Sequence, residues 1–165
     1  MLYRRAFIQG GSWFFTIVTN QRRAFLTNAD NIKILREAFK QVKEKYPFTI
    51  EAIVVMPDHL HCILTLPTDD SNFATRWRLI KTWFTKHSDT DLHPVWQKRY
   101  WEHLLRDEDD FKRHIDYIHY NPVKHDYVNA VVDWQYSSFH KFVRQGIYPH
   151  DWGQNVINFV GVGNE

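Results

Sequence analysis

Short apolar runs of two different periods alternate along the chain. Over residues 12–19 the side chains are aromatic or β-branched, and Trp13, Phe15, Ile17 and Thr19 share one face of an extended segment, because strand side chains alternate. This predicts a first strand, entered through Gly10-Gly11. Arg22-Arg23 and the polar cluster at 28–31 read as a turn and a helix cap, after which Ile32, Leu35, Phe39 and Val42 recur at helical spacing up to Tyr46-Pro47. The period returns to two over 48–55 and 59–66, with Met56-Pro57-Asp58 between the runs and Pro67 after them, which predicts a hairpin.

Cap residues at 69–71 open a second helix, with Phe73, Trp77, Ile80 and Phe84 as its buried stripe and Arg76, Lys81 and Lys86 outward. A further strand is expected over 95–105, carrying Trp96, Tyr100 and Trp101. The acidic turn at 107–110 suits the positive end of a helix dipole, and that helix is expected to run towards Asn121-Pro122 and end there. A short helix over 137–144 and an irregular tail over 145–165 complete the chain.

Strand, helix, strand, strand, helix, strand is the split βαβ order. The expected fold is therefore α+β, a ferredoxin-like antiparallel sheet with helices on one face, plus C-terminal helical additions. At 165 residues and with seven Trp, eight Tyr and twelve Phe, the chain has the length and the apolar content of one folded domain, 1–165.

Lys and Arg number 21 against 19 Asp and Glu, a formal charge of +2, so any nucleic-acid surface has to be local rather than spread over the molecule. The only cysteine is Cys62, which excludes a disulfide framework. No apolar h-region follows Met1, and no apolar run reaches the roughly 20 residues of a membrane span. A cytoplasmic protein is expected.

Two features carry candidate chemistry. His59-Leu60-His61 sets two imidazoles on one face of the predicted strand while Leu60 faces the core, an arrangement that can share one divalent ion. With ten histidines in the chain, about 0.6 such pairs arise by chance, and two strand histidines bonded to backbone or water are the plain alternative. On the third predicted helix Phe111, Ile115 and Ile118 form the expected buried stripe, and Asp110, His114, Tyr117 and Asn121 lie beside it on a polar face. A half-buried phenol with a bonded hydroxyl is the ordinary reading of Tyr117. The Asn121 oxygen lies one turn on, and with two imidazoles it suits a hard or borderline divalent cation that keeps open sites. A phosphate bound there is open to attack by the phenol.

Four blocks carry a resemblance to a known family. They are Arg4-Arg5 with Gly10-Gly11-Ser12-Trp13-Phe14-Phe15-Thr16, then Val55-Met56-Pro57-Asp58-His59-Leu60-His61-Cys62, then Trp96-Gln97-Lys98-Arg99-Tyr100-Trp101-Glu102-His103, then Asp116-Tyr117-Ile118-His119-Tyr120-Asn121-Pro122-Val123-Lys124-His125. In these the chain resembles the REP-associated tyrosine transposases, within the HUH single-tyrosine transposases of insertion sequences. The resemblance implies His59 and His61 as metal ligands, Tyr117 as nucleophile and Asn121 as the third ligand, with Mg²⁺ or Mn²⁺ as the metal. Insertion-sequence relatives commonly carry Gln at that third position; Asn, one methylene shorter, implies ligation through water or a closer helix. The implied reaction is cleavage of single-stranded DNA at hairpin-forming REP repeats to a 5′-phosphotyrosine and a free 3′-hydroxyl, followed by rejoining. The resemblance implies either a dimer that exchanges tyrosine helices, as in the insertion-sequence relatives, or a monomer acting in cis, as in the REP-associated branch; the short link of residues 107–110 between the last strand and the tyrosine helix favours the monomer.

Candidate DNA contacts are Arg4, Arg5, Arg22, Arg23, Arg76, Arg78, Lys81, Lys98 and Arg99, with Lys124 and His125 just past Asn121, since cations hold phosphates and neighbouring aromatic faces stack unpaired bases. Trp77 and Trp101 read as core residues by default. Two other functions stay open: a regulator that binds REP-type hairpins without cutting, and a phosphodiesterase that uses water as nucleophile with Tyr117 orienting the substrate.

Overall fold

The computed structural model describes residues 11–89, 91 and 93–163. Its elements are β1 (Gly11–Val18), α1 (Ala29–Lys45), β2 (Thr49–Val55), β3 (His59–Leu66), α2 (Phe73–His87), β4 (Trp101–Leu104), α3 (Glu108–Lys124) and α4 (Phe139–Arg144). The strands form one sheet in the order β2-β3-β1-β4, every neighbouring pair antiparallel. That is the ferredoxin-like arrangement expected from the element order.

Strand alternation divides the molecule into two layers of core. Phe15, Ile17, Leu60, Cys62 and Leu64 face α1 and α2, meeting Leu35, Phe39, Trp77 and Phe84. Phe14, Ala52, Val54 and Ile63 point the other way and pack with Tyr117 and Ile118 of α3 and Phe142 of α4. A register shift in β2 between Ile50 and Ala52 inverts its alternation, so that Ile50 packs in the first layer but Ala52 and Val54 in the second, with Ile53 and Val55 returning to the first, as an extra residue in a ladder does.

The helix caps follow the chemistry of their first residues. Asn28 accepts from the Asn31 amide at 2.8 Å and opens α1; Asn72, rather than a residue of 69–71, accepts from Thr75 and opens α2. Asp70 is engaged by Arg76, whose guanidinium also donates to the carbonyls of Tyr46, Pro47 and Asn72. Arg76 is fully buried, so its expected outward position and DNA contact are overturned. Helical spacing placed it beside the stripe, and the carbonyls at the end of α1 draw it inward.

The strand expected over 95–105 breaks in two. Trp96 bridges to Thr19, and β4 pairs Trp101 with Thr16. Three positions separate Thr16 from Thr19 but five separate Trp96 from Trp101, so two residues must leave the ladder, and the segment Lys98–Tyr100 loops outward. Helix α3 also departs from expectation, since it continues through Pro122 to Lys124. Proline removes one amide and only in the last turn, where the loss is small, and the His125 amide still reaches the Asn121 carbonyl at 3.0 Å. The expected helix over 137–144 is shorter, beginning at Phe139. Among the described residues no helix is long and apolar enough to cross a membrane.

Candidate active site

The site forms where the second face of the sheet meets α3. Asp107 caps that helix, accepting from the Asp110 amide at 2.7 Å. The Asp110 carboxylate accepts from His103 Nε2 of β4 at 2.9 Å and from the Arg106 amide at 2.9 Å, and His114 Nδ1 donates to the Asp110 carbonyl at 2.8 Å. Burial alone would raise the Asp110 carboxyl, but the Arg106 amide and His103 hold it below the usual range. Burial lowers the His114 imidazole below its ordinary value, against the opposing pull of Asp110. This cluster fixes the start of α3 to the edge strand, and thereby the rotation of the helix.

That rotation turns the polar positions inward. Asp110, His114, Tyr117 and Asn121 are buried, whereas Phe111 and Ile115, expected as the buried stripe, are only partly so. The expected polar face with Tyr117 on it is thus the side that packs on the sheet, and the half-buried phenol of the ordinary reading is corrected to one 1% exposed. The surface facing α3 carries imidazoles and a threonine as well as Phe14, so polar helix positions find partners there. The Phe14 ring contacts His61 at 5.5 Å, His114 at 4.8 Å and Tyr117 at 6.0 Å between centroids.

Both histidines of β3 are held by their Nδ1 atoms. Thr16, the cross-strand partner of His61, meets its Nδ1 at 2.8 Å. Asp58 accepts from His59 Nδ1 at 2.7 Å, and that hydrogen bond, with Arg22 adding its charge at 3.3 Å, keeps the Asp58 carboxyl below the usual range. Such outer partners fix tautomer and ring orientation, as they do for metal-binding imidazoles. His59 Nε2 lies 3.3 Å from Asn121 Oδ1, and the two imidazole rings are 4.8 Å apart. Octahedral ligands about 2.1 Å from a small dication sit about 3 Å from one another, so the donor set of His59, His61 and Asn121 fits one. The shorter asparagine is matched by a helix packed closely enough to bury it completely.

Tyr117 completes the group. Its ring lies 5.3 Å from that of His61, and Lys124 Nζ donates to its hydroxyl at 3.2 Å while sitting 4.8 Å above the ring. His125 packs 5.4 Å from His59. Two strand imidazoles, one helix amide oxygen, one phenol and one lysine thus meet within a single chain.

A family model for IS200-like transposases matches residues 12–121, the span that contains His59, His61, Tyr117 and Asn121. The chain belongs to that family. A REP-associated tyrosine transposase of Escherichia coli strain K12 is 48% identical to this IS200-like transposase over 157 residues, covering 95% of this chain and 93% of the relative. A solved structure described as a REP-associated tyrosine transposase bound to a REP hairpin superposes with a TM-score of 0.85 at 45% identity, over 96% of this chain and 94% of that one.

Of the expected DNA contacts, Lys124, His125 and Arg22 come to the site itself. Arg78, Lys81 and Lys98 line a cleft between α2 and the segment leading into β4, and Arg99 lines a smaller one with Thr16 and Arg22. Arg23 donates to Gln21, Arg76 is buried, and Arg4 and Arg5 lie outside the described residues. Trp77 is core as expected, but Trp101 is 45% exposed.

The sequence reading assigned no role to Thr16, Asp58 or His103, nor to the tail. Thr16 was legible only through strand register. Among tail residues, Tyr148 donates to Asp116 of α3, Arg113 donates to the Val160 carbonyl at 2.9 Å, and Phe159 packs on Tyr117 with centroids 5.5 Å apart. Gly163, at φ +74°, lies so close that a Cβ there would come within 2.5 Å of the Tyr117 ring. The irregular tail covers the phenol.

Proposed function

We propose that this transposase is a metal-dependent nuclease and strand transferase for single-stranded DNA, acting on REP-type hairpins with Tyr117 as nucleophile. The observation that carries the reading is the meeting of Tyr117, 5.3 Å from the His61 ring, with Asn121, 3.3 Å from His59, on one turn of one helix. A phosphodiesterase using water would need no phenol at that place, and a binding protein would need no imidazole pair behind it.

His59, His61 and Asn121 would hold the divalent cation, Mg²⁺ or Mn²⁺, which supplies Lewis acidity to a phosphate oxygen and makes the phosphorus more electrophilic. The Tyr117 oxygen then attacks that phosphorus. The phenol gives up its proton as the O–P bond forms, the bond to the 3′-oxygen breaks, and the departing oxygen takes up one proton in return, to leave a 3′-hydroxyl and a 5′-phosphotyrosine. Attack by a 3′-hydroxyl on the phosphotyrosine reverses the step and joins strands. Lys124 is placed to hold negative charge on the phenol oxygen, and Asp58 and Thr16 keep both imidazoles in the orientation the site requires.

Support for the hairpin substrate comes from the relative whose structure contains one. Because every group of the site comes from one chain, we infer a monomer that acts in cis, folded as one domain over 1–165 and working in the cytoplasm where the chromosome lies. The test is a denaturing gel of a labelled hairpin oligonucleotide incubated with the protein and Mn²⁺. A protein-linked product is expected from the parent and none from Tyr117→Phe; cleavage by that variant at the parental rate refutes the nucleophile.

A further inference from the structure

The proposed chemistry uses one pair of histidines and leaves another pair idle. Among the described residues, His103, Asp110 and His114 are the one group of three histidine, cysteine or acidic side chains whose donor atoms all lie within 4.8 Å of one another. None of the three belongs to the donor set of His59, His61 and Asn121. Asp110 and His114 stand four positions apart on α3, the spacing that puts two side chains on one face of a helix. His103 reaches them from β4, the edge strand of the sheet.

Each oxygen of the Asp110 carboxylate faces one imidazole. His103 Nε2 is 2.9 Å from Oδ2, and His114 Nδ1 is 3.2 Å from Oδ1. Ligands bound about 2.0 to 2.2 Å from a tetrahedral zinc ion stand about 3.3 Å from one another, so these atoms already have the spacing of ligands. The two imidazole rings stack 4.8 Å apart at 23°, which brings both to the same carboxylate. The Asp110 and His114 side chains are 7% and 4% exposed but that of His103 is 25% exposed, so the group has a dry floor and one open side through which an ion and a water can enter. The Arg106 amide holds Oδ2 from outside at 2.9 Å, the kind of outer partner that orients a ligating carboxylate. The Arg106 guanidinium, 3.5 Å from Oδ2, is 61% exposed and free to turn into solvent.

We propose that His103, Asp110 and His114 form a second metal site, for Zn²⁺ or a divalent ion of similar softness, that ties edge strand β4 to the first turns of the tyrosine helix. Two imidazoles favour such an ion over Mg²⁺ or Ca²⁺, the carboxylate supplies negative charge, and water completes the tetrahedron. The ion takes the place of the two N–H···O contacts. Each neutral imidazole binds it through the nitrogen that now faces the carboxylate and carries its proton on the other ring nitrogen. The Asp110 carbonyl gives up the His114 ring and keeps its helical amide bond. The role is structural: His114 lies one turn before Tyr117, so the ion fixes the rotation of α3 that the hydrogen bonds now set. This site stands apart from the nuclease chemistry, since none of its ligands touches the reacting groups proposed above.

The test is equilibrium dialysis of the full chain against Zn²⁺, with bound metal counted by atomic absorption. It compares the parent with His103→Gln, whose amide still donates to Asp110 but is a poor ligand for zinc. The parent is expected to hold one zinc ion more than the variant. Because the result is a difference, zinc taken up at His59 and His61 cancels, and the outcome does not depend on whether Tyr117 is a nucleophile. With zinc at about a hundred times its dissociation constant, the melting temperature of the parent should rise by about 5 to 10 °C more than that of the variant, and EDTA should reverse the rise. In EDTA the two proteins should melt within about 2 °C of each other, as expected where the hydrogen bond to Asp110 is kept. Equal zinc counts, or equal rises in melting temperature, overturn the site. Anomalous diffraction at the zinc edge from crystals of the parent needs no variant: a peak about 2.0 to 2.2 Å from His103 Nε2 and His114 Nδ1 supports the proposal, and zinc found only elsewhere refutes it.

Discussion

Tyr117 is a buried residue, at 1% exposure, that in the proposed reaction must nevertheless meet a phosphate. Its neighbours explain how one side chain serves both ends: its ring packs on Phe14 and Phe159, while its hydroxyl is held by Lys124. Asn121→Ala should keep the fold and the hairpin affinity but weaken Mn²⁺ binding by at least about 10- to 100-fold, the loss that follows when merely a ligand's outer partner is removed, as read by calorimetric titration. Arg76 makes a different prediction. Its guanidinium satisfies three carbonyls and Asp70 while fully buried. Arg76→Ala strands those acceptors and should cost about 3 kcal/mol in chemical denaturation, with little effect on DNA affinity. The hydrogen bond from Arg76, followed by one from the Asn72 amide, lowers the Asp70 carboxyl. A carboxyl lowered in the folded state stabilises above its ordinary pKa of 3.8, and that stability is lost as pH falls through the folded value. Acid titration of stability should accordingly flatten below pH 4 in the Arg76→Ala protein relative to the parent.

At the scale of elements, α3 decides whether there is a site. Its N-terminus is fixed by Asp107 and by the His103-Asp110-His114 cluster, and its last turn delivers Asn121 and Lys124. Loss of the cap in Asp107→Ala should cost about 1 kcal/mol, measured by denaturant melting. Adduct formation should suffer as well, because a frayed first turn frees the rotation that points Tyr117 at His61. The strands contribute by register. Pairing of Thr16 with His61 sets a hydroxyl beside Nδ1 of the imidazole, and the break between Trp96 and β4 turns a continuous strand into the wall of a basic cleft. The periodic pattern located these elements because burial on one side of a strand or helix imposes its period on the sequence. It missed the break, since a mismatch of two residues between partners leaves no trace in the hydropathy of either one.

For the molecule as a whole, the sheet separates two tasks: α1 and α2 close one core, and α3, α4 and the tail close the other around the site. The tail is the outermost part of that second layer. Chains ending at Gln154, and the Gly163→Ala variant whose Cβ would collide with the Tyr117 ring, should both form the DNA adduct faster than the parent. The reactive population is the one with the phenol uncovered, and rate measurements on denaturing gels would read it; an unchanged rate would show that the tail leaves the phenol accessible. The amino-acid sequence by itself determined the element order, the two apolar stripes of α1 and α2, and the candidate trio of His59, His61 and Tyr117, because period and residue chemistry are local properties. Only the tertiary structure decided that Arg76 is interior, that the polar side of α3 faces the sheet, that Thr16 and Asp58 orient the imidazoles, and that Gly163 lies on the phenol. Each of those depends on which surface a residue meets across many intervening positions, and no local pattern encodes that meeting.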